Sequence, residues 1–338
     1  MSFKIISFGT RENEISYFEA LNTYNYQMTY QKENLTADNI QLCQNHDGIL
    51  LRANSIADKD NLNQLKSYGI KYVFTRTVGY NHIDLDQAKH NNQIVAYVPT
   101  YSPMAVANLA FSLAMMQYRA LTSSVVAVHT MDFRPQVGNF VAEIQDLTVG
   151  IIGTGSIGAA EAQLWQSLGA KVLGYDVKRN PQLTDRLTYT DLATLLQHSD
   201  IVSLHIPHTP GQTTKLFGKT ELALMKSSAI LINTSRAEVT DEQAIIDAIK
   251  SQQIKGFATD VISNESAIFG KVEPKLTDEK FAILNQFSNL YPRVIITPHI
   301  GSYTKNALKD MITTSYQNFH HALTDNFNEN FLVTPVKS

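Results

Sequence analysis

Three polar side chains in the second half of the chain stand where chemistry is usually done. Each follows a short apolar run: Arg236 after Ile230–Asn233, Glu265 five residues beyond Asp260 at the end of Gly256–Thr259, and His299 just after Val294–Thr297. A guanidinium is a planar fork that matches a carboxylate. An imidazole titrates near neutrality and can give or take a proton. A carboxylate hydrogen-bonded to that ring would favour its charged form. Taken singly, each has a plainer reading: arginines are mostly surface or ion-pair residues, a loop glutamate is solvated, and one histidine among ten is structural. Together they describe acid–base work on a molecule that carries a carboxylate.

A second feature lies upstream. Thr148 to Gly158 reads TVGIIGTGSIG, a buried strand running into Gly153-x-Gly155-x-x-Gly158. The first glycine permits a tight turn, the second a close backbone approach to a pyrophosphate, and the third close helix–strand packing. The surroundings suit it: an amphipathic stretch (Ala162, Leu164, Trp165, Leu168) follows, then the strand candidate Lys171–Tyr175, which ends at Asp176. That acid is near the offset of about 20 residues expected for a carboxylate on a ribose 2′-hydroxyl. Asp176 favours NAD, since it would repel a 2′-phosphate. Lys178 and Arg179 read as solvated surface charges.

These groups need a scaffold of strand ends. Strand candidates are Lys4–Phe8, Gly48–Leu51, Lys71–Phe74, Ile94–Ala96, Val149–Ile152, Lys171–Tyr175, Ile201–Leu204, Ile230–Asn233, Gly256–Thr259 and Val294–Thr297. Helical patterns at Asp58–Ser67, Ile157–Leu168, Glu221–Met225 and Asp241–Ser251 fall between them. That alternation predicts parallel sheets with crossover helices. A length of 338 residues suggests two domains. The glycine loop sits mid-chain, so about 100 residues precede the nucleotide domain, and the helix candidate after Pro103 would bridge into it. Two such sheets would place ligands at their carboxyl strand ends, in a cleft between domains.

Composition excludes several classes. A net charge of −3 and a pI near 6.4 offer no basic surface for nucleic acid or anionic membranes. The apolar stretch Pro103–Met116 is too short and too interrupted to span a bilayer, and the N-terminus lacks a signal-like run. The one cysteine, Cys43, suggests a reducing compartment and a buried structural thiol. A soluble cytoplasmic protein without a metal site is expected.

From Asp47 to Asn318 the chain resembles the D-2-hydroxyacid dehydrogenase family, and within it the D-lactate dehydrogenase-like branch. The resemblance rests on TRTVGYNHID (Thr75 to Asp84), PTYSPMAVA (Pro99 to Ala107), GTGSIG, DIVSLHIP (Asp200 to Pro207), NTSRAEV, the Asp260 to Glu265 segment and ITPHIGSYT (Ile296 to Thr304). It implies two doubly wound α/β domains: a Rossmann NAD-binding domain over residues 102–299, and a flavodoxin-like catalytic domain from both chain ends, 1–101 and 300–338. It implies NAD-dependent reduction of a small 2-oxo acid to the D-2-hydroxy acid, with His299 as proton donor, Glu265 as its partner and Arg236 on the substrate. The Val78 and Gly79 amides would grip the carboxylate, and Tyr101 would line the pocket. On the cofactor side it points to Gly153, Gly155, Ser156, Ile157, Gly158, Asp176, Ile206, Pro207, Gln212, Thr234, Ser235, Arg236 and Asp260. A homodimer through the nucleotide domains is implied, using the Pro103–Arg119 helix and the segment before Asp146. Asn108, Ala237 and the pair Ser263–Asn264 depart from the family's usual residues.

Substrate identity stays open. Arg52 ends an LLR run, where the family lines the pocket for the substrate's side chain. It is either a surface or inter-domain arginine, or a cation for a second carboxylate. DGILLRAN and LYPRVIITPHIGSYT are similar to (R)-2-hydroxyglutarate dehydrogenases, which supports the latter. Relatives of this fold also serve as NAD-sensing corepressors. That alternative lacks an interaction tail here, and the length leaves no room for added regulatory domains.

Overall fold

The computed structural model describes residues 2–209, 211–270, 272 and 278–335. In chain order the first strands are β1 (Lys4–Ser7), β2 (Gln27–Tyr30), β3 (Gly48–Leu51), β4 (Tyr72–Thr75) and β5 (Ile94–Ala96). Next come β6 (Thr148–Ile152), β7 (Lys171–Tyr175), β8 (Thr188–Tyr189), β9 (Ile201–Leu204), β10 (Ile230–Asn233), β11 (Gly256–Thr259) and β12 (Val294–Ile296). The strand β13 (Phe331–Val333) closes the series. The chain divides into two units, Met1–Ser102 with Tyr303–Ser338, and Pro103–Ser302.

The first unit carries a six-stranded sheet, ordered β13-β5-β4-β3-β1-β2. The second carries seven strands, ordered β12-β11-β10-β9-β6-β7-β8. The pairs are parallel except β13 with β5, which is antiparallel and irregular in register. The parallel, doubly wound expectation holds in both sheets, and the returning chain end adds one antiparallel strand at an edge. Both sheets wind outward in two directions from a central strand, which defines the doubly wound class.

Alternation along the strands explains why both faces are covered. Ile6 and Ile49 enter one core of the first unit, whereas Ile5 and Leu50 enter the other. In the second unit Ile152 and Leu231 face one core, and Ile151 and Ile230 the opposite one. Successive side chains point to opposite faces, so near-continuous apolar strands require helices on both. Several of those helices begin at a capping side chain. Asp58, Asp191, Asp241 and Thr304 each accept a hydrogen bond from a first-turn amide. Such caps typically contribute about 1 kcal/mol. The long helix Pro103–Tyr118 opens the second unit, and Cys43 ends a short 3-10 turn, fully buried. Burial pushes its thiol up to about 12, so it is not a nucleophile.

His82 follows β4 and makes a pH-dependent contribution to stability. Burial holds its imidazole down at about 4, and its Nε2 has no partner among the described residues. The unfolded chain therefore takes up a proton near pH 6.5 that the folded chain refuses until about 4. Stability from this group is complete above the unfolded value and is lost as pH falls through that window, by roughly 3 kcal/mol at most. Denaturant titrations at pH 7 and pH 4.5 should show a larger loss for the wild type than for His82→Leu. Equal losses would mean that His82 is protonated in the folded protein.

Candidate active site

The glycine loop leaves β6 at the point where the second sheet's order reverses, with β7 on one side and β9 on the other. Gly153 turns there with φ +89°, and a Cβ on it would stand 2.6 Å from the His205 carbonyl oxygen. Gly158 packs so tightly that a Cβ would run into the Gly153 carbonyl. Around Gly155, by contrast, nothing beyond the adjoining backbone lies within 4 Å of a Cβ position among the described residues. The helix Ser156–Ser167 has no side-chain cap, and the Ser156 and Ile157 amides find no acceptor among the described residues. Unpaired amides at a helix N-terminus attract an anion.

Beneath the loop lies a buried polar group. The Glu161 carboxylate accepts from Trp165 Nε1 at 3.0 Å and Ser203 Oγ at 2.7 Å, and it also pairs with His205. Asp176 follows β7 and is fixed by Thr154 N at 2.6 Å and Lys178 N at 2.9 Å. Lys178 and Arg179 are exposed, and the Arg179 guanidinium lies 5.6 Å from the Tyr189 ring. Ile206, Pro207 and Gln212 occupy the segment after β9, where the Gln212 amide donates to the Thr209 carbonyl. After β10, Asn233 staples its own turn by accepting from Ser235 N and Oγ and donating to the Arg236 carbonyl. Thr234 Oγ1 is left buried without a partner among the described residues. Free amides over a glycine turn, a carboxylate on the next strand and an orphaned hydroxyl fit a dinucleotide.

Strand order sets the three candidate segments side by side, and of their side chains Glu265 and His299 are in contact. β10, β11 and β12 are neighbours, so Arg236, the Asp260 to Glu265 segment and His299 all follow adjacent carboxyl ends. His299 Nδ1 lies 2.6 Å from Glu265 Oε1, which leaves Nε2 for a ligand. His299 has φ 53°, and Asn264 beside Glu265 has φ 62°. Left-handed conformations in residues other than glycine persist only where surroundings hold them, and they cluster at functional sites. Asn is well suited to one, which explains how Ser263–Asn264 serves in this loop. The Ser263 amide is also anchored on Glu242 at 2.9 Å.

Asp260 does the holding at His299. Its carboxylate accepts from Thr297 Oγ1 at 2.6 Å, Ile300 N at 2.9 Å and Gly301 N at 2.7 Å, while its carbonyl accepts from His299 N at 3.1 Å. Burial pushes this carboxyl above its ordinary value, partly offset by those donors. Arg236 is half-buried with Nη1 on the Ser235 carbonyl at 2.7 Å. Ala237 is buried at the start of a 3-10 turn. Asn108 is exposed.

In the first unit, Val78 and Gly79 follow β4. Thr77 Oγ1 donates to the Gly79 carbonyl at 2.7 Å, and neither the Val78 nor the Gly79 amide donates within the described residues. Two adjacent free amides can bind a carboxylate oxygen. Tyr101 is half-buried, and its hydroxyl has no hydrogen-bond partner among the described residues. Arg52 follows β3 and is half-buried. The pinning role of Asp260 and the Glu161–His205 pair carry no local sequence signal, since their partners lie about 40 residues away in the chain. Among the described residues no cluster could hold a metal ion, and no helix is long and apolar enough to cross a membrane.

Residues 111–301 match the family model of the D-isomer specific 2-hydroxyacid dehydrogenase NAD binding domain. An aromatic 2-oxoacid reductase of Clostridium sporogenes is 32% identical over 320 residues, covering 93% of this chain and 95% of the relative. A D-lactate dehydrogenase of Staphylococcus aureus is 33% identical, with 91% and 93% covered. Among solved structures, a D-lactate dehydrogenase from Sporolactobacillus superposes with a TM-score of 0.85 at 36% identity, covering 99% of this chain and all of that one. An NAD-complexed D-isomer specific 2-hydroxyacid dehydrogenase from Lactobacillus delbrueckii ssp. bulgaricus matches equally well by TM-score, 0.85, at 32% identity, with 97% of this chain and 100% of that one covered.

Proposed function

This chain belongs to the D-isomer specific 2-hydroxyacid dehydrogenase family, and from that membership we propose that it reduces a small 2-oxo acid to the D-2-hydroxy acid with NADH, in the manner of D-lactate dehydrogenase. The observation that carries the reading is the Glu265–His299 pair, 2.6 Å apart, at a strand end of the nucleotide-binding unit. When bound, the reduced nicotinamide supplies a hydride to C2 of the 2-oxo acid. His299 Nε2 delivers a proton to the developing alkoxide oxygen, and Glu265 on Nδ1 keeps the ring aligned and stabilises its charge. Arg236 orients the substrate carboxylate and offsets its charge. The Val78 and Gly79 amides hold a carboxylate oxygen, and Tyr101 lines that pocket. Asp176 receives the ribose hydroxyls, while Gly153, Gly155, Ser156, Ile157 and Gly158 cradle the phosphates. Ile206, Pro207, Gln212, Thr234, Ser235 and Asp260 complete the cofactor's surroundings.

The test is NADH oxidation with pyruvate, phenylpyruvate and 2-oxoisocaproate, with the product's configuration determined. The expected result is NADH consumption and a D-product with at least one of them. Dinucleotide binding without turnover on any 2-oxo acid would favour a sensor of the corepressor kind.

A homodimer joined through the nucleotide-binding unit is part of the proposal. The segment after the Pro103–Tyr118 helix exposes Val125, Val128, Met131, Phe133, Val137 and Phe140, the last at 97%. Six exposed apolar side chains within one segment suit burial against a second copy. Light scattering should return about twice the 37.7 kDa chain mass. A cytoplasmic location is proposed on the single buried thiol, Cys43, and the NAD chemistry.

A further inference from the structure

The second unit buries a carboxylate for which the reaction above has no use. Glu242 stands in the first turn of the helix Glu242–Lys250, which Asp241 caps. Among the described residues it has no cation within ion-pair range. Its neighbours Glu238 and Asp241 are acids, and Lys215 pairs with Asp241 at 3.6 Å. Burial pushes the Glu242 carboxyl above its ordinary value. The Ser263 hydroxyl and amide pull it partly back, and the Glu238 and Asp241 charges add to the rise. A buried carboxylate without a counterion is costly, so what it touches is informative.

It touches the loop that carries Glu265. Glu242 Oε1 accepts from the Ser263 amide at 2.9 Å, and the Ser263 hydroxyl is a second donor. Ser263 is itself exposed, so water would satisfy its amide without Glu242. The bonds inside this loop are long. The Glu265 amide reaches the Ile262 carbonyl at 3.3 Å, and the Ile262 amide reaches Glu265 Oε2 at 3.4 Å. Both are at the weak end of hydrogen bonding. Asn264, between them, has φ 62°, a conformation that persists only with support from its surroundings. Its side chain donates to the Lys280 carbonyl at 3.1 Å. The bond to Glu242 is shorter and ends on a carboxylate, which makes it the stronger hold.

We propose that Glu242 is a positioning residue for the reaction: through Ser263 it fixes the loop so that the Glu265 carboxylate stays on His299 Nδ1. This rests on the reading above of Glu265 and His299 as the acid–base pair. What the loop requires is reach rather than charge, since any oxygen at the end of a side chain of this length serves the Ser263 amide. Glu265 and His299 are 2.6 Å apart, and misplacing such a pair by about 1 Å can lower a rate by about 100-fold.

Two variants separate reach from charge. Glu242→Gln keeps the length and an acceptor oxygen and loses the charge. Glu242→Asp keeps the charge and is one methylene too short. Neither adds bulk or a new backbone demand, so both should fold. With the best 2-oxo acid of the panel above, Glu242→Gln should retain kcat within about twofold, because its hydrogen bond survives. Glu242→Asp should lose kcat by roughly 10- to 100-fold. KM for the 2-oxo acid and the dissociation constant of NADH should each stay within about twofold in both variants, the mark of an effect on chemistry rather than binding. A double-mutant cycle with Glu265→Ala completes the test. With no carboxylate left to place, Glu242→Asp should cost less than about twofold more. Glu242→Asp turning over as fast as Glu242→Gln overturns the proposal, and so does a full loss by Glu242→Asp in the Glu265→Ala background. A lowered thermal midpoint in Glu242→Asp with unchanged kcat overturns it too, leaving Glu242 to the fold alone. If Glu265→Ala itself turns over at the wild-type rate, it is the acid–base reading that fails.

Discussion

Replacing His299 with alanine is expected to lower the turnover of pyruvate by about 10²–10⁴-fold, the usual worth of a positioned general acid. The alkoxide formed at C2 has no other proton donor of suitable acidity in the proposed chemistry. Water must then supply the proton without the alignment that Glu265 imposes at 2.6 Å on Nδ1. NADH affinity should hardly change, because the glycine loop does not involve His299. One complication is the backbone, since His299 has φ 53°. Alanine in a left-handed conformation costs about 1–2 kcal/mol, which could shift the loop as well as remove the ring. Asparagine enters that region more readily, so His299→Asn keeps the backbone while deleting the acid. Stopped-flow and steady-state rates for both variants should show the same loss. Glu265→Gln retains the ring and a hydrogen-bonding group, so it should keep more activity than either. Turnover near the wild-type value in His299→Asn would remove His299 from the mechanism.

How much of this was legible without the structure depends on where the partners lie in the chain. Ile201–Leu204 and Ile230–Asn233 read correctly because central parallel strands are buried on both faces and therefore apolar throughout. β2, β8 and β13 leave no such trace. They lie at sheet edges and are partly exposed, and β8 has only two residues. Helix starts shift by a residue for a physical reason: Asp58 and Asp241 are caps, just outside the helices that they begin. The site divides in the same way. Arg236, Glu265 and His299 stand out as candidates in the sequence because each follows a strand signal within six residues. The Glu14–Arg76 pair spans 62 residues and exists only because β1, β3 and β4 are neighbours. Nothing local in the sequence distinguishes Glu14 from the other acids of its helix.

Gly158→Ala and Gly155→Ala should both impair NADH binding, but for different reasons that stability measurements can separate. At Gly158 a methyl group would overlap the Gly153 carbonyl oxygen, with Ile151 Cγ2 at 3.1 Å on another side. Neither backbone can yield without moving the helix Ser156–Ser167 off β6, and overpacking of this kind costs typically 1–3 kcal/mol. The thermal midpoint should therefore fall by several degrees, at roughly 2–4 °C per kcal/mol for a unit of about 200 residues. Moving the helix also spoils the amide cradle, so dissociation constants from NADH fluorescence should rise by about 10- to 100-fold. At Gly155 nothing beyond the adjoining backbone lies within 4 Å of the added methyl among the described residues, so the fold has nothing to resist and the thermal midpoint should stay unchanged. The methyl group would instead occupy the space through which the backbone meets the pyrophosphate. Weak NADH binding with intact stability is thus the signature of Gly155→Ala. Wild-type affinity in that variant would mean that the dinucleotide does not lie over this turn.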